Sequence, residues 1–289
     1  MTDIAAQIIA VLPLGWEIRN SDLQGLEEIR LRKGSNARFC YGVTHREFPY
    51  MVDHDLLQAV IDRCTEWSAY GAMEMLRKGY LILPGGHRLG LCGTGVYKDG
   101  VLRSLRDISS INIRIARHIY NFGRPIADVL WKEPGSALCL GPPCSGKTTL
   151  LRDLIRQLST VYRERISVID ERMELAAVID GVPQFDLGPT CDVMSCVRKS
   201  DAIDMVIRTM APKWIVLDEI TAEEDVTAMI RGAYCGVKFI ATAHGNGLKD
   251  LRSRPIYKKL LESQIFDHLF TIQQNRTVQK EVLWTYSAS

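Results

Sequence analysis

Apolar positions follow one pattern up to about residue 120 and another beyond it. Residues 1–12 read as a short amphipathic helix. Glu27 to Arg32 sets Ile29 and Leu31 between charged neighbours, the period-two pattern of a half-buried strand, and stops at Lys33-Gly34. Leu56, Leu57, Val60 and Ile61 recur at helical spacing within Asp53–Thr65, with Asp53 or Asp55 as the start signal. A second helix is predicted over Ser68–Lys78, closed by Gly79. From Tyr80 to Ile119 the pattern is strand and turn. Pro84-Gly85-Gly86 and Lys98-Asp99-Gly100 mark the turns, and Ile111, Ile113 and Ile115 share one face of the last strand.

Asn121–Pro125 reads as a linker. Beyond it, short apolar runs alternate with helical patterns. Ala137–Leu140, Ile166–Asp170, Trp214–Leu217 and Val237–Thr242 read as buried strands. Leu150, Leu151, Leu154, Ile155 and Leu158 mark one helix; Ile203, Val206, Ile207 and Met210 mark another. This alternation predicts an α/β domain with a parallel sheet. The boundaries drawn are an α+β domain at 1–120 and an α/β domain at 121–289.

Composition narrows the class. Of the 289 residues, 46% are hydrophobic and 24% charged, which fits a soluble globular protein. A net charge of +2 carries no global signal for nucleic acid, so a nucleic-acid partner is not expected. The start of the chain lacks the basic and apolar regions of a signal peptide, and no apolar run approaches the ~20 residues of a membrane helix. A cytoplasmic protein is therefore expected, meeting a membrane only through partners. The eight cysteines form no C-x-x-C pair, so free thiols in a reducing compartment are expected rather than zinc or disulfides. Locally, residues 77–117 hold eight basic against two acidic side chains. Three readings fit that stretch: a solvated sheet edge, arginines offered to a neighbouring subunit, or a nucleic-acid surface.

The chemistry is carried by Gly141-Pro142-Pro143-Cys144-Ser145-Gly146-Lys147-Thr148, a G-x-x-x-x-G-K-T phosphate-binding loop set between a strand and a helix. Its backbone N–H groups form an anion-binding concavity, and the following helix turns its positive end to the same place. Lys147 is positioned to reach the β and γ phosphates, Thr148 to ligate Mg²⁺, and Thr149 to extend the nucleotide contact into the helix. Cys144 places a thiol inside the loop.

Asp218-Glu219 ends the Trp214–Leu217 strand and fits a Walker B motif. Asp218 would hold Mg²⁺, directly or through water, and Glu219 would polarise the water attacking the γ phosphate. The Ile166–Asp170 strand lies between the two motifs, as the additional-strand ATPase class requires. It ends in Asp170-Glu171-Arg172, where ligands bind in open α/β sheets. Glu171 either faces Mg²⁺ or water, or pairs with Arg172. His244, with Thr242 second, is the candidate to sense the γ phosphate from the end of the Val237–Thr242 strand. Arg208 either holds the Walker B acids, forms a subunit contact or is solvated; Arg252 and Arg254 are further sensor candidates. No N-K-x-D or L-S-G-G-Q motif occurs, which disfavours a GTPase and an ABC subunit.

Taken together, Glu28–Arg32, Gly79-Tyr80, Gly85–Gly90, Ser110–Arg117, Gly141–Asp153, Asp170–Arg172, Ile207–Pro212, Leu217–Ile220 and Thr242–Gly245 resemble the stage III sporulation protein AA family. This family is related to the ATPases of type II and type IV secretion. The resemblance covers most of the chain and implies a RecA-like, secretion-type P-loop NTPase domain behind an N-terminal α+β domain. It implies ATP and Mg²⁺ as cofactors, with Glu171 in an aspartate box and His244 in a histidine box. It further implies a homo-oligomeric ring, a hexamer, acting from the mother-cell cytoplasm on membrane channel proteins of the sporulation apparatus. Two other readings stay open, a nucleic-acid-stimulated motor and an ATP-dependent assembly switch with little turnover. The family usually has Arg-Thr-Asp-Val after Gly188; Thr190-Cys191-Asp192-Val193 stands here, so the role of that arginine is not carried over.

Overall fold

In the computed structural model, which describes residues 4–65, 75–245 and 247–281, the alternating stretches of the N-terminal part pair into one antiparallel sheet. Its strands are β1 (Glu28–Arg32), β2 (Asn36–Tyr41), β3 (Thr44–Met51), β4 (Tyr80–Leu83), β5 (His87–Lys98) and β6 (Val101–Arg114), in the order β3-β2-β1-β6-β5-β4. Ile29, Leu31, Phe39, Leu89, Ile111 and Ile113 are buried. They share a core with Ile8 of α1 (Ile4–Val11) and with Leu57 and Val60 of α3 (His54–Thr65). A short helix, α2 (Asn20–Leu23), lies between. Asp53 is the start signal of α3: its Oδ1 accepts the Leu56 N–H at 2.8 Å. Of the helix expected over Ser68–Lys78, residues 68–74 lie outside the described residues and 75–77 are helical.

Beyond Cys92 the paired β5 and β6 run on with most of their residues exposed. In the basic stretch they carry, Arg114 pairs with Glu28, Arg106 with Asp107, and Arg117 donates to the Leu26 carbonyl. By contacts the first unit ends at Arg117 rather than at the expected 120, and it also takes in Ile179–Gln184, from the small hairpin of β9 (Val178–Ile179) and β10 (Val182–Pro183).

The second unit comprises His118–Val178 and the chain from Phe185 onward. Its sheet holds β7 (Ala137–Gly141), β8 (Ile166–Asp170), β11 (Cys191–Ser195), β12 (Trp214–Leu217), β13 (Lys238–His244), β14 (His268–Ile272) and β15 (Val278–Glu281). The order is β11-β8-β12-β13-β7-β14-β15, parallel except for β15 at the edge. Every residue of β7, β8 and β12 is buried, which is why they read as apolar runs rather than alternations. The helices are α4 (Arg124–Lys132), α5 (Lys147–Thr160), α6 (Lys199–Met210), α7 (Glu223–Tyr234), α8 (Leu248–Ser253) and α9 (Pro255–Glu262). Among the described residues no helix is long and apolar enough to cross a membrane.

One expectation is corrected. The strand separating the P-loop strand from the Walker B strand is β13, which follows Walker B in the chain; β8, expected there, lies on the far side of β12. Chain order places β8 between the motifs, but right-handed crossovers let a parallel sheet skip positions and fill them later.

The linker is welded to α5. The Gly123 N–H donates to Asp153 Oδ2 at 2.7 Å, and a Cβ on Gly123 would stand 2.3 Å from the Leu154 nitrogen. Gly123→Ala should therefore destabilise the protein by about 1–3 kcal/mol in urea unfolding. An unchanged midpoint would show that the two backbones separate freely.

Candidate nucleotide-binding site

The site forms at the tip of β7. A Cβ on Gly141 would lie 2.4 Å from Ser145 Oγ, and Gly146 takes φ 94°, so both glycines are required by the turn. Pro143 and Cys144 are exposed at the crest of the loop, while Ser145 is buried. Ser145 Oγ has no hydrogen-bond partner among the described residues. Lys147 opens α5 and is only 7% exposed. Its Nζ donates to the carbonyls of Gly141 and Pro142 and to His244 Nδ1, each at 2.9 Å. Burial pushes the Lys147 pKa down, opposed by the nearby charges of Glu219 and Asp218.

His244 reaches this amine because of the strand order. β13 pairs with β7 so that His244 stands opposite Gly141, and with β12 so that Ala241 stands opposite Leu217. The tip of β13 is thus held between the P-loop and the Walker B acids. His244 Nε2 lies 3.0 Å from Glu219 Oε2. An ammonium can only donate, so Nδ1 accepts and Nε2–H donates to the carboxylate, which assigns the tautomer. The result is a hydrogen-bonded chain Lys147–His244–Glu219.

Asp218 faces the start of α5. Its Oδ2 accepts from Thr148 Oγ1 at 3.2 Å, and its Oδ1 accepts from Thr242 Oγ1 at 2.8 Å and from the Glu219 N–H at 2.9 Å. Thr242 is fully buried and orients the carboxylate. A Thr hydroxyl beside a fixed carboxylate is the donor set that Mg²⁺ prefers, and the buried Lys147 amine with the unpartnered Ser145 hydroxyl fits the phosphates. The residues present therefore fit the nucleotide and its metal. Tyr257 on α9, which no sequence motif singled out, donates to the Ile220 carbonyl at 3.1 Å and braces the chain just after Walker B.

The aspartate pair divides. Both Asp170 oxygens face inward: Oδ1 accepts the N–H groups of Glu174 and Leu175, and Oδ2 those of Ala176 and Ala177. Asp170 builds the loop after β8. Arg152 supports the same loop through the Glu174 carbonyl, and burial depresses the pKa of its guanidinium. Glu171 points the other way and pairs not with Arg172 but with Lys199, at 2.7 Å. Lys199 is 4% exposed at the start of α6. Burial raises the pKa of the neighbouring Asp225, with Lys199 as the main opposing charge. Lys199 was not singled out because Arg198-Lys199-Ser200 reads as a solvated helix start. Arg208 is exposed, and the Walker B acids find their partners in Thr148, Thr242 and His244 instead. Arg254 pairs with Asp250 and Arg252 is exposed.

A parallel sheet with one strand between the P-loop and Walker B strands defines a P-loop NTPase fold. The Legionella pneumophila ATPase DotB shares it at 16% identity and a TM-score of 0.59, covering 90% of this chain and 77% of that one. The pilus retraction motor PilT with bound ADP shares it at 16% identity and a TM-score of 0.60, covering 88% and 78%. The family follows from sequence: the model for Sporulation stage III, protein AA, matches residues 4–287. Stage III sporulation protein AA of Bacillus subtilis strain 168 is 35% identical over 263 residues, which is 89% of this chain and 86% of the relative. The chain belongs to the sporulation stage III protein AA family.

Two outcomes follow from the site. Asp170→Ala strands four N–H groups, three of them buried, and should cost about 3 kcal/mol or more in chemical denaturation, whereas Glu171→Gln, which keeps an acceptor for Lys199, should cost less. Burial pushes the thiols of Cys64, Cys139 and Cys191 up to about 12, so they should resist alkylation. Exposed Cys144 should react, lose nucleotide binding and be shielded by bound ATP, as read by peptide mass mapping.

Proposed function

We propose that the chain is a Mg²⁺-dependent ATPase that works as a ring, a hexamer, and energises a channel between mother cell and forespore. It would act from the mother-cell cytoplasm on membrane proteins of the sporulation apparatus. The observation that carries this reading is the Lys147–His244–Glu219 chain, because it ties the phosphate loop to the acid that would activate water.

Lys147 holds two neutral carbonyls and a neutral ring nitrogen. A phosphate oxygen is a stronger, charged acceptor, so arrival of the triphosphate draws the amine away from His244. His244 Nδ1 is then free for a new partner, and its Nε2–H remains on Glu219. The imidazole thus registers whether the lysine is engaged and adjusts the carboxylate beside it. Glu219, partly exposed, accepts the proton of the attacking water. Thr148 and Asp218 would hold Mg²⁺, whose charge would offset that developing on the phosphates. Glu171, held by Lys199 at the end of β8, would serve as a second acid for metal or water. The arginines of residues 77–117 that are spent on Glu28, Asp107 and a backbone carbonyl weigh against a nucleic-acid track.

Lys147→Ala should abolish ATP binding in calorimetry. Glu219→Gln should bind ATP with near wild-type affinity and lose turnover by about a hundredfold or more. Wild-type phosphate release from that variant would remove Glu219 from the chemistry. An assembly switch predicts instead that the unaltered protein assembles with ATP yet releases no phosphate in the steady state. Light scattering of the Glu219→Gln protein should show a nucleotide-dependent ring; a monomer at saturating ATP would count against the motor.

A further inference from the structure

The linker belongs to the same unit as the P-loop, and its residues are pinned one after another to α5. The Arg156 guanidinium lies 4.8 Å from the Tyr120 ring centre. Asn121, in a left-handed turn at φ 65°, accepts from buried Gln157 at 3.1 Å. Gly123 donates to buried Asp153 at 2.7 Å. Phe122 stands between these anchors, its backbone held on both sides to α5.

Its ring lies against the phosphate loop. Phe122 Cε1 is 3.5 Å from the place a Cβ on Gly146 would take, and the side chain is half-buried. The rings nearby are engaged: His118 meets Tyr120 and Phe185, and Phe185 lies under Arg152. No ring or cation among the described residues covers Phe122. A rigidly held, partly exposed aromatic face at the rim of a phosphate site is an open stacking surface. The backbone N–H groups, Lys147 and Thr148 account for phosphates and metal; none of them reads a base.

We propose that Phe122 is the platform on which the base of the bound nucleoside triphosphate stacks. The proposal rests on the nucleotide reading above and deepens it. A purine offers the larger face, and stacking of a base on an aromatic ring favours it whatever its hydrogen-bonding edge. Tight anchoring keeps the ordering cost low, since ring and loop are already fixed to one helix.

The test compares a ligand with a base and one without. Calorimetry with the full chain and Mg²⁺ measures ATP and inorganic tripolyphosphate. Phe122→Ala should weaken ATP about tenfold and leave tripolyphosphate unchanged, and Phe122→Trp should keep ATP affinity at or above wild type. Equal losses for both ligands would make Phe122 a wedge that shapes the loop, and no loss for either would remove it from the site; both overturn the proposal. Thermal melting of each variant separates lost stacking from lost folding, and the Trp variant decides the matter if the Ala variant unfolds: reduced ATP affinity there also overturns it. A wild-type protein that binds neither ligand would remove the nucleotide site itself, and the platform with it.

Discussion

A buried ammonium organises this protein's site. Lys147 sits at the base of the loop, where water is excluded and an unpaired charge would cost several kcal/mol. Two carbonyls, an imidazole nitrogen and the nearby acids at 218 and 219 offset that cost. Each partner comes from a different part of the chain: the carbonyls from the end of β7, the imidazole from β13, the acids from the end of β12. The amine can be accommodated only when all three strands stand in their observed order. Strand order and charge placement are therefore one constraint.

That constraint explains why an inserted strand matters. With β7 and β12 as direct neighbours, the P-loop and Walker B acids would adjoin without a side chain between them. β13 spreads them by one strand spacing and fills the gap with Thr242 and His244. The buried threonine fixes Asp218, and the histidine at the tip joins Lys147 to Glu219. Thr242 and His244 on one strand thus serve the two adjacent acids separately.

Much of this was legible in the sequence because it is local. The P-loop, the Walker B acids and the buried strands are short contiguous patterns whose meaning does not depend on distant residues. The parts that were not legible are non-local. β13 took the position assigned to β8 because chain order does not dictate the order of strands in a sheet. β2 and β3 were not legible because each buries too few side chains to show a period: only Ala37 and Phe39 in β2 and only Phe48 in β3. Asp170 and Glu171 are adjacent and chemically alike, yet one closes a backbone loop and the other meets Lys199. Only the direction of each side chain at the end of β8 separates them. Tyr257 braces Walker B across 37 positions of sequence, a separation that no motif encodes.

The carbonyls that cradle Lys147 have a thermodynamic consequence. The amine is already paired with protein: Gly141 and Pro142 accept from it, so it does not stand bare in a low-dielectric hollow. On the nucleotide reading proposed above, part of the energy gained on loading would be spent undoing those contacts. Retention would be correspondingly modest, and spent product would depart without a steep climb. A device that must empty and refill repeatedly is served better by such a shallow well than by a deep one.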